Sequence, residues 1–304
     1  MDAHPTLDQL EIFLTVVEEG GFSAAARKLN RAQSVISYAI SNLEAQLGLK
    51  LFERAGTRQP RLTEAGNSLL EDARRMIGSL QMLRARARGL AQGLEGEVRL
   101  VADLLVPMPV LTAVLDSFRE AFPTVGVRLL TGALGASAEA VLNRDADIGI
   151  VGGVMLPHPN LVSRKVGENQ VLPVAAPSHP LAHAGSSVPI AVVREHFQIV
   201  ISDLSRRTEG RNFHVHALNT WHVSDLATKH ALISAGLGWG GMPLWLVRDD
   251  LEAGRLVELS LEPYPPSTYS MFAIRTNDKP YGPAASWMAN RFEAAFAAFG
   301  WTGT

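Results

Sequence analysis

The chain contains no cysteine. Disulfides, thiolate zinc sites, cysteine nucleophiles and thiol-based redox sensing are therefore excluded. Long apolar runs are also missing: no uninterrupted stretch reaches the roughly 18–20 residues that cross a bilayer. The first twelve residues carry Asp2, Asp8 and Glu11, where an export signal needs a basic start and an apolar centre. A cytoplasmic protein with no membrane partner is expected. Charge of either sign is sparse, at 19% of residues, and the net charge of −2 does not advertise a polyanionic partner. There is no phosphate-binding glycine loop, nucleophile elbow or metalloprotease helix, so no catalytic residue and no cofactor are expected. His179 and His183, and His214 and His216, lie close in sequence but have no clear carboxylate companions, and no metal site is expected.

What is present is a globular composition, 47% apolar over 304 residues, with material for two or three domains. The near-zero net charge hides a local bias. Residues 27–61 hold seven bases (Arg27, Lys28, Arg31, Lys50, Arg54, Arg58, Arg61) against Glu44 and Glu53. Residues 93–304 hold 16 bases and 20 acids. A basic patch confined to one end is the footprint of a nucleic-acid-binding module joined to a neutral partner domain.

Local patterning agrees. Leu7, Leu10, Leu14 and Val17 recur at helical spacing and Gly20-Gly21 ends the run, predicting a helix over 7–19. Ser23 is a candidate N-cap for a short helix over 24–29, thin enough for another helix to cross closely. Asn30, Arg31 and Ala32 form a turn. A longer helix is predicted over 33–47, stopped by Gly48, with Ile36, Ile40, Leu43 and Leu47 as its buried stripe. That stripe leaves Ser34, Ser37, Tyr38 and Ser41 facing outward, a polar front suited to base edges and phosphates in a major groove. Residues 50–63 suggest two short strands around a glycine- and arginine-containing turn, a wing. The pattern is that of a winged helix-turn-helix; an ordinary three-helix domain with a hairpin shares it.

The specific residues take the reading further. Phe22-Ser-Ala-Ala-Ala-Arg-Lys-Leu29, Gln33-Ser-Val-Ile-Ser37, Leu43-Glu44, Leu47-Gly48, Leu51-Phe-Glu-Arg54 and Leu62-Thr-Glu-Ala-Gly66 closely resemble the N-terminal signature of the LysR-type transcriptional regulators. The resemblance is nearly continuous over residues 7–66. It implies that Arg31, Gln33, Ser34, Ser37, Tyr38 and Ser41, with Arg54, Arg58 and Arg61 of the wing, contact double-stranded DNA. Position 38 departs from the pattern: the family often has a basic or amide residue there. Tyr38 donates one hydrogen bond and stacks, but makes no bidentate contact with guanine.

Residues 64–92 are strongly helix-forming, and Leu69, Leu70, Ala73, Ile77, Leu80, Leu83, Ala87 and Leu90 trace an apolar stripe. The stripe suits packing on its own domain or pairing with a twin. The resemblance implies the latter: a dimerising linker helix, a palindromic promoter site and tetramers built from dimers. RNA polymerase is a further candidate partner at the promoter.

Beyond residue 92, strands are expected over 97–102, 125–130 and 146–151, with helices over 109–121 and 137–143 between them, an alternation that reads as a parallel sheet. A second block is expected from 171–176, continued by 197–202 and 214–218. A helix over 225–235, a helix over 244–252, a strand over 269–275 that rejoins the first block and a closing helix over 283–299 follow. Ala146-Asp-Ile-Gly-Ile150, His179-Pro-Leu-Ala182 and Ala235-Gly-Leu-Gly-Trp-Gly-Gly-Met-Pro243 resemble pieces of the family's effector domain. That implies a periplasmic-binding-protein-like fold with a small-molecule effector between two α/β lobes.

The expected organisation is a winged helix-turn-helix at 1–63, the linker at 64–92 and an effector domain at 93–304. Its first lobe comprises about 93–165 and 268–304, its second about 166–267. Strand ends and helix starts facing such a cleft nominate Asp103, Leu104, Thr131, Gly132 and Gly152 from the first lobe, and Ser202, Asp203, Val223 and Ser224 from the second. Where Asp103 stands, the family commonly has a small hydroxyl residue suited to a carboxylate ligand. An Asp there disfavours an anion unless it points away or is paired, and a neutral, cationic or aromatic effector is the expectation. A solute-binding protein without a regulatory role, and an enzyme using the cleft, are the competing readings. The N-terminal module weighs against the first and the missing catalytic constellation against the second.

Overall fold

The computed structural model describes residues 4–53, 60–153, 156–203, 205, 207–208 and 213–300. The chain divides into two compact units, Met1–Arg88 and Gly89–Thr304.

The first unit is helical. Helix α1 (Leu7–Glu18) opens on a capping box, in which Thr6 and Gln9 satisfy each other's backbone amides. Helix α2 (Phe22–Lys28) starts two residues earlier than the sequence suggests, and Gly21 caps it rather than Ser23. The hydroxyl of Ser23 instead donates to Gln33 Oε1 at 2.8 Å, which leaves it unavailable to its own helix. Helix α3 (Gln33–Leu47) ends on Gly48, whose left-handed φ of 67° is open to glycine without strain. Ile12, Phe13, Val16, Ala25, Ile36, Ile40 and Leu43 interlock as one core, closed by Leu51, Phe52 and the start of helix α4 (Glu64–Ala91). The expected two-stranded wing is represented by a single bridge, Phe52 to Leu62; its tip, 54–59, lies outside the described residues.

The second unit is built on strands β1 (Glu97–Asp103), β2 (Gly126–Gly132) and β3 (Ile148–Gly152), which are parallel in the order β2-β1-β3. Helices α5 (Met108–Ala121), α6 (Gly135–Leu142) and α10 (Pro283–Phe299) cover them. Strand β1 is apolar on both faces: Val98, Leu100 and Ala102 meet α5 and α10, while Val101 joins the cluster around α6. Such two-sided burial produces a continuous apolar run rather than alternation.

Strand β4 (Leu161–Ala175) is ten residues longer at its start than the strand expected at 171–176. Its first half reads Leu-Val-Ser-Arg-Lys and is largely solvent-exposed, so its apolar signal is weak. It pairs antiparallel with β9 (Ser267–Thr276), from Leu161 opposite Thr276 to Val171 opposite Ser267, with a bulge between Lys165 and Gly167. These two strands form the double crossover between the lobes. The second lobe contains α7 (Ile190–Val193), the parallel pair β5 (Gln198–Ile201) and β6 (Thr220–Val223), α8 (Leu226–Ser234), β7 (Gly240–Pro243), α9 (Leu244–Glu252) and β8 (Val257–Glu258). The segment 214–218 is not a strand. Gln198, 2% exposed, donates from Nε2 to the His214 carbonyl at 2.7 Å and accepts from the His216 and Ala217 amides, holding the segment as a loop. The place beside β5 goes to Thr220–Val223. No described helix is long and apolar enough to cross a membrane.

Candidate nucleic-acid face and effector cleft

Helix α3 divides cleanly. Ile36, Ile40 and Leu43 are buried, whereas Gln33, Ser34, Tyr38 and Ser41 are exposed and Ser37 is half-buried. Tyr38 is 69% exposed, so its ring is presented rather than packed. Val35, also exposed, sits among them and was not singled out from sequence because an apolar residue reads as core. Arg31 is engaged differently: both guanidinium nitrogens reach the Asp8 carboxylate at 2.8 Å. Arg27, Asn30, Arg31, Gln33 and Ser23 line a shallow groove at the turn. Of the wing arginines, Arg61 is exposed, its carbonyl accepting from the Glu53 amide at 2.8 Å; Arg54 and Arg58 lie outside the described residues.

The end of α3 is stapled to the following strand by Glu44. This buried carboxylate accepts from the amides of Leu51 (2.9 Å) and Phe52 (3.3 Å) and pairs with the Lys50 ammonium. Burial pushes its pKa up, but Lys50 and the two amides outweigh burial and hold it below its ordinary value.

In the second unit a cavity of about 170 Å³ opens between the lobes. Asp103, Leu104 and Gly152 of the sequence-nominated residues line it. The other six lie off its wall. Thr131 is exposed on the edge strand, and Gly132 packs under Ser137. The Ser202 amide donates to the Val223 carbonyl, fastening β5 to β6, and Ser224 precedes Asp225, the N-cap of α8. Asp203 reaches across from the second lobe and accepts from the amides of Gly135 (3.0 Å) and Ala136 (3.2 Å), capping α6 of the first. Arg207 adds an ion pair to Glu139 on the same helix. Asp203 and Arg207 therefore link the lobes.

Asp103 is 6% exposed and points inward. It accepts backbone hydrogen bonds from Leu105 (2.9 Å), Gly152 and Leu134. Leu134 donates from φ 52°, ψ −122°, a conformation L-residues rarely adopt, and such strain concentrates at functional sites. Burial dominates and lifts the Asp103 carboxyl to about 6, with the three amides opposing it.

The opposite wall comes from residues that the sequence did not nominate for effector binding. Lys229 on α8, 6% exposed, lines the cavity, and burial lowers its pKa to about 8. Tyr264 stacks on His214 at 4.9 Å, and its hydroxyl hydrogen-bonds that of Tyr269. Burial holds both tyrosines above and His214 below their usual pKa ranges. Two glycines make room: a Cβ at Gly240 would lie 2.9 Å from Lys229 Cε, and one at Gly241 only 1.9 Å from the Tyr264 hydroxyl. Glycines ahead of Pro243 read from sequence as a helix break, which hides this packing role.

Comparison with known proteins agrees with this architecture. Residues 7–67 match the bacterial regulatory helix-turn-helix protein, lysR family, and residues 91–297 match the LysR substrate binding domain. The chain is 30% identical over 261 residues to the probable HTH-type transcriptional regulator YhaJ of Escherichia coli, covering 84% of this chain and 86% of that one. It is 29% identical over 263 residues to the HTH-type transcriptional activator AllS of Klebsiella pneumoniae, covering 85% and 97%. Its fold is similar to a hydrogen-peroxide-bound OxyR mutant of Corynebacterium glutamicum (TM-score 0.53, 21% identity, 97% and 96% covered). It is also similar to full-length LysG of the same organism with bound effector Arg (TM-score 0.50, 18% identity, 96% and 98% covered). The chain belongs to the LysR-type transcriptional regulators: it is a sequence-specific DNA-binding protein, not an enzyme, governed by a small molecule bound between two α/β lobes.

Proposed function

We propose that this regulator reads a palindromic promoter site as a dimer, through the outward face of α3, and that occupancy of the cleft changes how the two DNA-binding modules are presented. The polar, exposed front of α3 over a fully buried back carries the reading. Gln33, Ser34, Ser37, Tyr38 and Ser41 contact base edges and nearby phosphates. Arg61, with Arg54 and Arg58, contacts the flanking backbone. Arg31 reaches phosphate on exchanging Asp8 for it.

Pairing follows from α4, a helix of 28 residues and so about 42 Å long. Leu69, Ala73, Met76, Leu80, Leu83, Ala87 and Leu90 alternate by four and three, a heptad seam. Leu69 and Ala73 pack on the helix-turn-helix core, while Met76, Leu83 and Leu90 are more than 50% exposed. A second copy of α4 on that seam gives two recognition helices, and tetramers extend the arrangement. The assignment places the DNA-binding module at 1–63, the linker at 64–92 and the effector domain at 93–304, in a cytoplasmic protein with RNA polymerase as its partner at the promoter. Asp103, Leu104 and Gly152 form the first-lobe wall of the effector site. Asp203 ties the lobes together around it, while Thr131, Gly132, Ser202, Val223 and Ser224 lie off that wall. That LysG is described with Arg bound and OxyR with hydrogen peroxide supports a small effector here too.

Recovery of genomic fragments by the purified protein, followed by footprinting, tests the reading. A protected palindrome is expected, with affinity falling steeply with salt. Tyr38→Ala is expected to weaken that complex about 10-fold or more while moving stability by less than about 0.5 kcal/mol. A folded protein that binds no promoter fragment, with or without metabolite extract, overturns the reading.

A further inference from the structure

The two walls of the cleft differ in how their polar groups are satisfied. On the first lobe, the amides of Leu105, Leu134 and Gly152 converge at strand and loop ends, where such N–H groups bind anions. Here the protein supplies the anion itself, because the Asp103 carboxylate accepts from all three. An external carboxylate has no donors left to meet there and would face a like charge.

On the second lobe the imbalance is reversed. Lys229 is almost wholly buried and lines the cavity, and its side-chain ammonium has no hydrogen-bond or ion-pair partner among the described residues. Its ammonium carries three donors. A buried cation without a counter-charge is costly unless something brings one. Gly240 and Gly241 hold open the space that keeps Lys229 and Tyr264 at the wall, since side chains at either glycine would displace them. Apart from His214, Lys229 is the one basic side chain among the described lining residues.

Size and shape narrow the ligand. The cavity is about 170 Å³. An apolar cavity of ~150 Å³ holds benzene. The stacked Tyr264–His214 pair, with Tyr269 and Phe213, offers flat aromatic surface.

We propose that the effector is a small organic anion built on a single planar ring, and that its charged group pairs with Lys229 instead of the first-lobe amides, which Asp103 already fills. The inference rests on the cleft being the effector site and assigns the chemical class that it admits.

Calorimetric titration of the full chain with benzoate, benzamide and benzylamine tests it, because the three probes share one ring and differ in charge. Benzoate is expected to bind about 10- to 100-fold more tightly than benzamide, the span of a charge-assisted hydrogen bond, with benzylamine weakest. Lys229→Met is expected to remove that preference while leaving benzamide binding unchanged, and to melt no lower than the parent. Benzamide or benzylamine binding as tightly as benzoate overturns the anion assignment and leaves the cleft reading intact. So does a Lys229→Met protein that keeps full benzoate affinity. If none of the three binds at about 10 mM, the ring-anion assignment falls. The cleft reading then falls with it only if DNA binding also fails to respond to a metabolite extract. The wild-type preference between benzoate and benzamide decides the matter even if the variant does not fold.

Discussion

Each unit buries a carboxylate beside a core element, and the two meet opposite electrostatic fates. Glu44 and Asp103 are 8% and 6% exposed, and both accept backbone amides. Glu44 also has the Lys50 ammonium, and its pKa falls below the ordinary value despite burial. Asp103 has amides alone, burial prevails, and its pKa rises to about 6. One counter-charge separates a staple from a group that holds its charge at a cost. The helix-turn-helix unit uses its buried carboxylate to fix a surface in place. The effector unit leaves charge unbalanced on both walls of a cavity, the condition under which an arriving ligand changes the energy most.

The largest effect is expected from Glu44→Ala. It deprives two amides and Lys50 of their acceptor, costing the first unit about 2–4 kcal/mol, with Lys50 counted lightly because it is half exposed. All five tryptophans lie between residues 221 and 301, so tryptophan fluorescence follows the second unit while far-UV circular dichroism follows both. The variant should shift an early dichroism transition and leave the fluorescence transition unmoved. A joint shift would break the comparison.

Acid should act on the two carboxylates with opposite sign. Raised in the folded state, the Asp103 pKa gives stability that is full below 3.8 and lost as pH rises through about 6, a swing of about 3 kcal/mol. Lowered in the folded state, that of Glu44 gives stability present above 4.5 and lost as pH falls through its folded value. Buried His179, with the partly desolvated His214 and His216, has a lowered pKa, and the three oppose Asp103 in the range between pH 5 and 7. The measurement is therefore the difference between wild type and Asp103→Asn, followed by fluorescence from pH 4 to 7.5. It should show the wild type losing stability relative to the variant as pH rises. A flat difference removes the contrast.

The smallest effect is that of Asp203→Ala. Losing a helix cap costs about 1–2 kcal/mol. The loss should appear in the fluorescence transition, and small-angle scattering should report looser lobes. An unchanged scattering profile would mean that Arg207 and Glu139 suffice to hold them.

The first unit was legible because its elements are local. Apolar residues three and four apart define α1, α3 and α4, and what the stripe leaves over is the exposed face. The misplaced start of α2 shows the limit: Ser23 has the chemistry of a cap, but a partner ten residues away claims its hydroxyl. The cleft was legible only where a strand end is itself the wall, at Asp103, Leu104 and Gly152. Lys229 was invisible because a lone lysine within Leu-Ala-Thr-Lys-His-Ala-Leu reads as solvated. Its burial follows from packing beneath Gly240, a contact no periodicity encodes. Gln198 and Tyr264 likewise act through segments far along the chain.

The long pair of β4 and β9 has a mechanical consequence. A one-residue slip between them would move every side chain to the opposite face and out of its core, so the lobes cannot slide past one another. What remains soft is torsion and bending where the ladder is interrupted, at Lys165 to Gly167. The register of this ribbon therefore opposes translation of one lobe along the other and leaves twisting and bending as the displacements it opposes least.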